Sequence, residues 1–286
     1  MMPKPVVVGT DGSNESLRAV KWAAAEAAHR SAPLQIVSVM AVPAHVSASA
    51  DSPVTLDDLM GSFYHQSLTA TAEWAATVAP GVAITTELLT GSPGRLLAEA
   101  AEAASLLVVG AYGVGGYAQP GTGPETRYMM VHASCPVAVI RVPDGIEHGE
   151  VAVGVRDVDN AQAALQFAFE EAALRKAHLS VIHACDENNP PAGHFAESLS
   201  NWRRLFPQVA VGCKQIDGHP GRILTAYTGF MDLTVIGRHD GPDGSIRHGS
   251  ALQALLSHAQ APIVIVPWTE QCHDRDARGG DGGEVP

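Results

Sequence analysis

Positive charge is scarce in this chain of 286 residues: 18 Lys and Arg stand against 30 Asp and Glu, a formal net charge of −12. A nucleic-acid binder would show a basic footprint, and no basic stripe interrupts the acidic average. Aromatic residues make up only 5%, and the four cysteines (Cys135, Cys185, Cys213, Cys272) lack Cys-x-x-Cys spacing. That usage favours reduced thiols and carries no metal signature. No apolar run approaches the roughly 20 residues that span a bilayer. No charged n-region with an apolar h-region precedes the first strand-like segment, so the expectation is a cytoplasmic protein with no membrane or nucleic-acid partner. Gly-x-Ser-x-Gly and the Walker lysine pattern are both missing, which leaves a hydrolase elbow and a P-loop ATPase unsupported. Histidines number 13, among them His183, His239 and His248, but no pair has zinc-helix spacing.

What the chain does contain is a long internal repeat. Val6-Val7-Val8-Gly9-Thr10-Asp11-Gly12 returns as Val151-Ala152-Val153-Gly154-Val155-Arg156-Asp157. Leu106–Gly110 returns as Leu233–Gly237, and Cys135–Ile140 as Ala261–Val266. The offset is 145 residues through the second strand and then about 127, so some 18 extra residues lie around the first half's second helix, near Ala44–Asp58. Such a repeat means two copies of one unit.

Within the first copy, short apolar runs at Val6–Thr10, Leu34–Val42, Ala83–Leu89, Leu106–Val109 and Val137–Val142 read as strands. Helical periodicity falls between them at 14–30, Leu56–Val78, about 92–103 and a stretch ending near His132, with Ser13 or Asn14 as N-cap and Pro93 in a first turn. The second copy repeats the order with helices at 160–176, 194–206 and 220–228 and strands at 179–184, 209–215, 233–236 and 263–266. Strands alternating with helices predict an α/β protein of two tandem doubly wound parallel five-stranded sheets. Expected domains are 1–143 and 151–268, with a polar linker at Pro143–Glu150 and a disordered tail at 269–286. The apolar last strands, Val137–Ile140 and Ile263–Val266, need covering. The halves are therefore expected to pair through them as an intrachain pseudo-dimer. Trp22, Trp74 and Trp202 are expected in cores or between the halves, and Cys135 as a small core residue.

In open α/β sheets ligands sit beyond the carboxyl ends of the strands, where strand order reverses. Two segments qualify: Asp11-Gly12-Ser13 after the first strand and the glycine-rich stretch from Gly110 after the fourth. A glycine loop entering a helix offers backbone N–H groups and a positive dipole end to phosphate. A carboxylate at a strand end can accept from an adenine amino group or a ribose hydroxyl. Glycines at such junctions also occur for the turn alone, so the structural reading stays open at this point.

These residues resemble the universal stress protein family. The resemblance is carried by Val8-Gly9-Thr10-Asp11-Gly12-Ser13, by the Gly-x2-Gly-x9-Gly loop at Gly110, Gly113 and Gly123, and by His132-Ala133-Ser134-Cys135-Pro136-Val137. It spans about residues 6–142 and 151–267 and implies an adenine-nucleotide α-hydrolase-like fold that binds ATP, with Mg2+ as its companion. Carried over, Asp11 would contact adenine and Val39 would line the base pocket. Gly110, Gly113 and Gly123 would approach ribose and phosphates, and Thr126 would offer a hydroxyl. The family's Ser/Thr after the last glycine is Pro124 here, which supplies neither hydroxyl nor N–H.

The second copy departs differently. Arg156 stands where Asp11 stands, with Asp157 one position on, and Asp240 replaces the second loop glycine, whereas Gly249 and Ser250 keep the phosphate-cradling end. Arg238 and Arg247 are expected to pair with Asp240 and Asp243. The leading expectation is a nucleotide-responsive regulator with a protein partner, binding mainly through its first half, with ATP turnover slow at most and two chains able to associate. The rival is a nucleotide-free scaffold of the same fold, favoured by Pro124, Arg156 and Asp240. A PP-loop or adenylate-forming enzyme lacks its Ser-Gly-Gly-x-Asp-Ser loop.

Overall fold

The computed structural model describes residues 3–41, 56–112, 123–141, 147–185, 195–238 and 250–267, without the side chains of residues 56–59, 159 and 250. The first half runs β1 (Val6–Thr10), α1 (Asn14–His29), β2 (Leu34–Met40), α2 (Leu56–Val78), β3 (Ile84–Thr90), α3 (Pro93–Ala100), β4 (Leu106–Gly110), α4 (Pro124–His132) and β5 (Val137–Ile140). The second runs β6 (Glu150–Gly154), α5 (Gln162–Arg175), β7 (His178–Cys185), α6 (Phe195–Ser198), α7 (Ser200–Leu205), β8 (Val211–Asp217), α8 (Pro220–Tyr227), β9 (Leu233–Gly237), α9 (Ser250–His258) and β10 (Ile263–Val266). The extra segment at 44–55, the expected boundary at 143 and the tail lie outside the described residues.

Each half is a parallel five-stranded sheet in the order 3-2-1-4-5, as the repeat predicts, and the two sheets are continuous. The last strands pair antiparallel, Val137 with Ile265, Ala138 with Val264 and Val139 with Ile263, giving one ten-stranded sheet. The expected contact through the last strands is thus a hydrogen-bonded ladder, and it leaves neither apolar strand as an edge. All eight residues of β5 and β10 are buried. Two local expectations need correction. The segment at 195–205 is two short helices rather than one, because Ser200 Oγ donates to the Glu197 carbonyl and competes with helix propagation. The helix opened by Pro93 ends at Ala100, earlier than its expected end near residue 103.

The pleat sorts the core into two layers. Val6, Val8, Leu106, Val108 and Ala138, with their twins Val151, Val153, Leu233, Val235 and Val264, face α1, α2 and α5 to α7. Val7, Leu107, Val137, Ala152, Ile236 and Ile263 face α3, α4, α8 and α9. Twin glycines serve this layering: a Cβ on Gly9 would lie 2.8 Å from Leu97 Cδ1, and one on Gly154 would lie 2.8 Å from Leu224 Cδ1. A side chain at either position would make the leucine of α3 or α8 turn aside from its present seat on the sheet. Trp202 is buried, stacked on Phe169 at 5.5 Å, and Trp22 packs partly buried against the core. Trp74 departs from expectation: it is 37% exposed, at the margin of the face of α2 that buries Leu68, Thr71 and Ala75.

α1 and α5 flank the junction on one face, and their alanines match: Ala19, Ala23 and Ala27 correspond to Ala164, Ala168 and Ala172, all buried in the layer against the sheet. Between them sits a closed ring of four charges that sequence analysis did not foresee. Arg30 Nε bonds Glu26 Oε1 at 2.5 Å and its Nη2 bonds Glu171 Oε1, while Arg175 Nη2 bonds Glu26 Oε2 at 2.5 Å and its Nη1 bonds Glu171 Oε2. The carboxylates are 1% and 0% exposed. Arg30 also lies over the Phe167 ring at 5.1 Å, and Arg175 over Trp22 at 5.8 Å. Every member has its twin 145 residues away: Trp22 and Phe167, Glu26 and Glu171, Arg30 and Arg175. The two carboxylates titrate as a pair. Burial raises both, and for Glu171 the facing Glu26 charge adds to it, pushing Glu171 up to about 7. For Glu26 burial is outweighed by Arg175 and Arg30, which hold it below the usual range.

Removing one cation, by Arg30→Met or Arg175→Met, should cost about 3–5 kcal/mol, because two carboxylates stay buried with half their compensation. Replacing all four by apolar residues should cost less than either single change, and urea unfolding at pH 7 compares them. The pH dependence has a definite sign. The folded chain holds a proton on Glu171 over a range in which the unfolded chain, near 4.5, has released it. This group's contribution to stability is full below pH 4.5 and is lost as pH rises to about 7. Glu26 acts oppositely, its contribution being lost as pH falls below 4.5. The stability of wild type relative to Glu171→Gln should therefore fall by roughly 3 kcal/mol between the lower and upper ends of that range.

Candidate functional site

β1 pairs with β2 on one side and β4 on the other, so the order reverses between β1 and β4. The turn after β1 is fixed by side chains. Ser13 caps α1 by accepting from Ser16 N–H at 3.2 Å, and Asp11 Oδ1 accepts from Ser13 N–H at 3.0 Å. Ser16 Oγ donates to the Ser13 carbonyl at 3.0 Å and accepts from Asp11 N–H at 3.3 Å, with Thr10 Oγ1 3.2 Å away. Gly12 N–H donates to Thr10 Oγ1 at 3.3 Å, and Gly12 takes the left-handed φ of +79° that the turn requires. The result is a half-buried carboxylate, Asp11, held at the strand end by a network of short polar side chains. Val39 lies on β2, in register with Leu89 of β3 and partly buried on the α3 side.

Gly110 ends β4 against the start of α1. A Cβ there would meet the Glu15 carbonyl carbon and the Tyr112 carbonyl oxygen at 3.2 Å each, both backbone atoms. The far end of the loop is tied back to its beginning: Gly123 N–H donates to the Ala111 carbonyl at 3.1 Å, and Thr126 Oγ1 donates to the Gly110 carbonyl at 3.2 Å. Gly123 is the N-cap of α4 and Pro124 its first residue. With the Gly123 N–H engaged and Pro124 having none, the first turn presents the amides of Glu125 and Thr126. Glu125 turns its carboxylate to the start of α3, accepting from Gly94 N–H at 2.5 Å. The loop therefore begins and ends on one anchored frame, and Thr126, buried at 5%, holds that frame with its only proton. Gly113 lies outside the described residues.

The second half keeps the strand order and drops the polar turn. Val155 and Ala161 stand where Thr10 and Ser16 stand, so the hydroxyl network has no counterpart. Arg156 and Asp157 are both exposed, with Asp157 Oδ2 accepting from Asn160 at 2.7 Å. A 3-10 turn at Asp159–Ala161 replaces the capped start of α1. Counting from the helix starts, the buried Leu252 takes the place of Thr126. Among the described residues, a Cβ on Gly237 would meet only Ala164 Cβ at 3.7 Å. Gly249, Asp240, Asp243, Arg247, His239 and His248 lie outside the described residues, as does the side chain of Ser250.

Other polar groups have structural roles. His183 is 2% exposed, its Nδ1 3.2 Å from the Val155 carbonyl and its ring 5.1 Å from that of Phe195. Burial pushes the Cys135 thiol up to about 11, which keeps it protonated and inert. Among the described residues no group of three His, Cys, Asp or Glu could hold a metal ion, and no helix is long and apolar enough to cross a membrane. The residues that sequence reasoning missed at the site are Thr10 and Ser16, whose signal was available: they are polar where their twins are apolar.

Residues 2–141 match the model of the universal stress protein family. A universal stress protein of Mycobacterium tuberculosis is 32% identical over 272 residues, covering 89% of this chain and 98% of the relative. Another from the same organism is 29% identical over 272 residues, covering 92% and 96%. The crystal structure of a universal stress protein from Archaeoglobus fulgidus superposes with a TM-score of 0.71 over 92% of this chain and 98% of its own, at 16% identity.

The unequal glycines give a direct test. Gly110→Ala should destabilise by about 1–3 kcal/mol, since backbone on two sides must give way. Gly237→Ala should stay within about 0.5 kcal/mol of wild type. Thermal unfolding of the two variants compares them, and equal losses would contradict the geometry described.

Proposed function

The chain belongs to the universal stress protein family, and from that premise we propose that its first half binds an adenine nucleotide, ATP in our reading, beyond the ends of β1 and β4. The observation that carries this is the Thr10–Asp11–Ser13–Ser16 network, which presets a carboxylate at the switch point in one half only. Asp11 would take the adenine edge and Val39 would line the base. Gly110, Gly113 and Gly123 would bring backbone to the ribose and phosphates, where the first-turn amides of α4 add their dipole. Thr126 would serve by fixing Gly110 rather than by donating to phosphate. Mg2+ would be held through the phosphates, since no metal-ligand group stands among the described residues. Gly249 and Ser250 would form the lesser phosphate end of the second half. Domains at 1–143 and 151–268, a cytoplasmic setting and association of two chains belong to the same proposal.

The protein would act as a regulator, with the loaded loop read by a protein partner, and any hydrolysis would be slow. A second reading, a nucleotide-free scaffold, is favoured by one observation: at the phosphate end Pro124 offers no N–H and Thr126 has committed its proton to Gly110. Calorimetric titration with ATP separates the two. The proposal expects saturable binding, and none up to millimolar ATP would sink it. Asp11→Ala should weaken binding about tenfold or more, the loss of one hydrogen bond to a charged group. Asp157→Ala should leave binding near wild type, and equal effects would remove the site from the first half.

A further inference from the structure

Helices α4 and α9 run back antiparallel to the strands they follow, and the halves join antiparallel through β5 and β10. The C-terminus of each last helix therefore lies at the other half's strand ends. An arginine meets it in both cases. Arg238, the first residue after β9, donates from Nη1 to the carbonyls of Met130, Val131 and Ala133 at 3.2, 2.8 and 3.2 Å, closing the end of α4. Arg141, the first residue after β5, donates from Nη1 to the Leu256 carbonyl and from Nη2 to the Ser257 carbonyl at 3.2 Å, closing the end of α9. Its guanidinium also lies over the Tyr112 ring at 5.4 Å, with Nη2 3.5 Å from the Tyr112 hydroxyl. Tyr112 is the residue between Gly110-Ala111 and Gly113, so it stands inside the first glycine loop.

The last carbonyls of a helix carry its negative end, which would repel a phosphate placed nearby. A planar guanidinium can satisfy two carbonyls and stack on a ring at once, which a lysine cannot. We infer that Arg141 is a positioning residue for the nucleotide's phosphate chain: it clamps Tyr112 onto α9, so the second half completes the first half's site. This rests on the reading of the first half as a nucleotide site. Arg238 makes the reciprocal tie, from the start of the second loop to α4, whose N-terminus closes the first. The degenerate second half is thus retained as a brace, with its own helix end built into the working site.

The test uses the full chain. ATP is titrated by calorimetry into wild type, Arg141→Met, Arg141→Lys, Tyr112→Leu and the Arg141→Met/Tyr112→Leu pair, and amide exchange is followed without nucleotide in 106–112 and 252–260. Arg141→Met should weaken ATP about tenfold, Arg141→Lys should recover part of that loss, and the double variant should be no weaker than either single, the mark of one shared interaction. Exchange should quicken in both segments together in Arg141→Met. Affinity within twofold of wild type, or additive losses, would overturn the inference, as would faster exchange confined to 252–260. Tyr112→Leu keeps the α9 cap and so reads the loop contact even if Arg141→Met unfolds. A wild type that takes no ATP would sink the nucleotide reading and the positioning role with it, while joint loosening of the two segments would still establish the brace.

Discussion

Four charges buried between α1 and α5 set the terms for the rest of the molecule. Neither carboxylate reaches solvent, and each guanidinium serves both. Such a ring gains little net energy over an apolar contact, because desolvation offsets most of its attraction. Its value lies in what it forbids. The ladder between β5 and β10 has only three paired positions, and a slip of one residue would turn every side chain of the short strands to the wrong layer. A slip would also pull the carboxylates off the guanidiniums and leave charge buried alone. Short strands fix the join, and the charged ring fixes the register.

Most of the fold could be read from the chain because it depends on patterns that duplication preserves. Apolar triplets, the Gly9 and Gly154 positions and the last strands recur at fixed offsets, and each corresponds to a contact repeated in space. The charged ring was hidden by the same rules. Glu26 and Arg30 are four residues apart, the spacing of an ordinary solvated helix pair, and nothing in one half alone says that a partner helix covers them. Only the match of Trp22, Glu26 and Arg30 with Phe167, Glu171 and Arg175 carries the signal. Trp74 failed in the opposite direction: helical spacing places a residue on a face, and which face is covered depends on neighbours that the spacing does not describe.

At the site, residue types were legible and partnerships were not. Asp11 and Gly110 come together because β1 and β4 are neighbours, as strand order predicts. Thr126 keeps its place beside the loop with a different role, since a buried hydroxyl has one proton and the nearest acceptor is the Gly110 carbonyl. The halves diverge at the polar turn and agree at the packing glycines, which separates two kinds of constraint. Gly9 and Gly154 answer to leucines that both halves must seat. Thr10 and Ser16 answer to no need of the sheet, since Val155 and Ala161 stand at the twin positions beside a sheet of the same order.

Joining two parallel sheets antiparallel has one further consequence. Strand ends that could host a ligand face opposite edges, so the sites cannot share a ligand. Each edge instead receives the closing turn of the other half's last helix, carbonyls foremost. A lone half would expose those carbonyls to water. In the tandem chain they lie at the join and accept from a guanidinium of the other half, Arg141 or Arg238. The need for these arginines comes from the join itself, independent of any ligand. A half without the polar turn is therefore held to its helix ends all the same, so its fold does not depend on that turn.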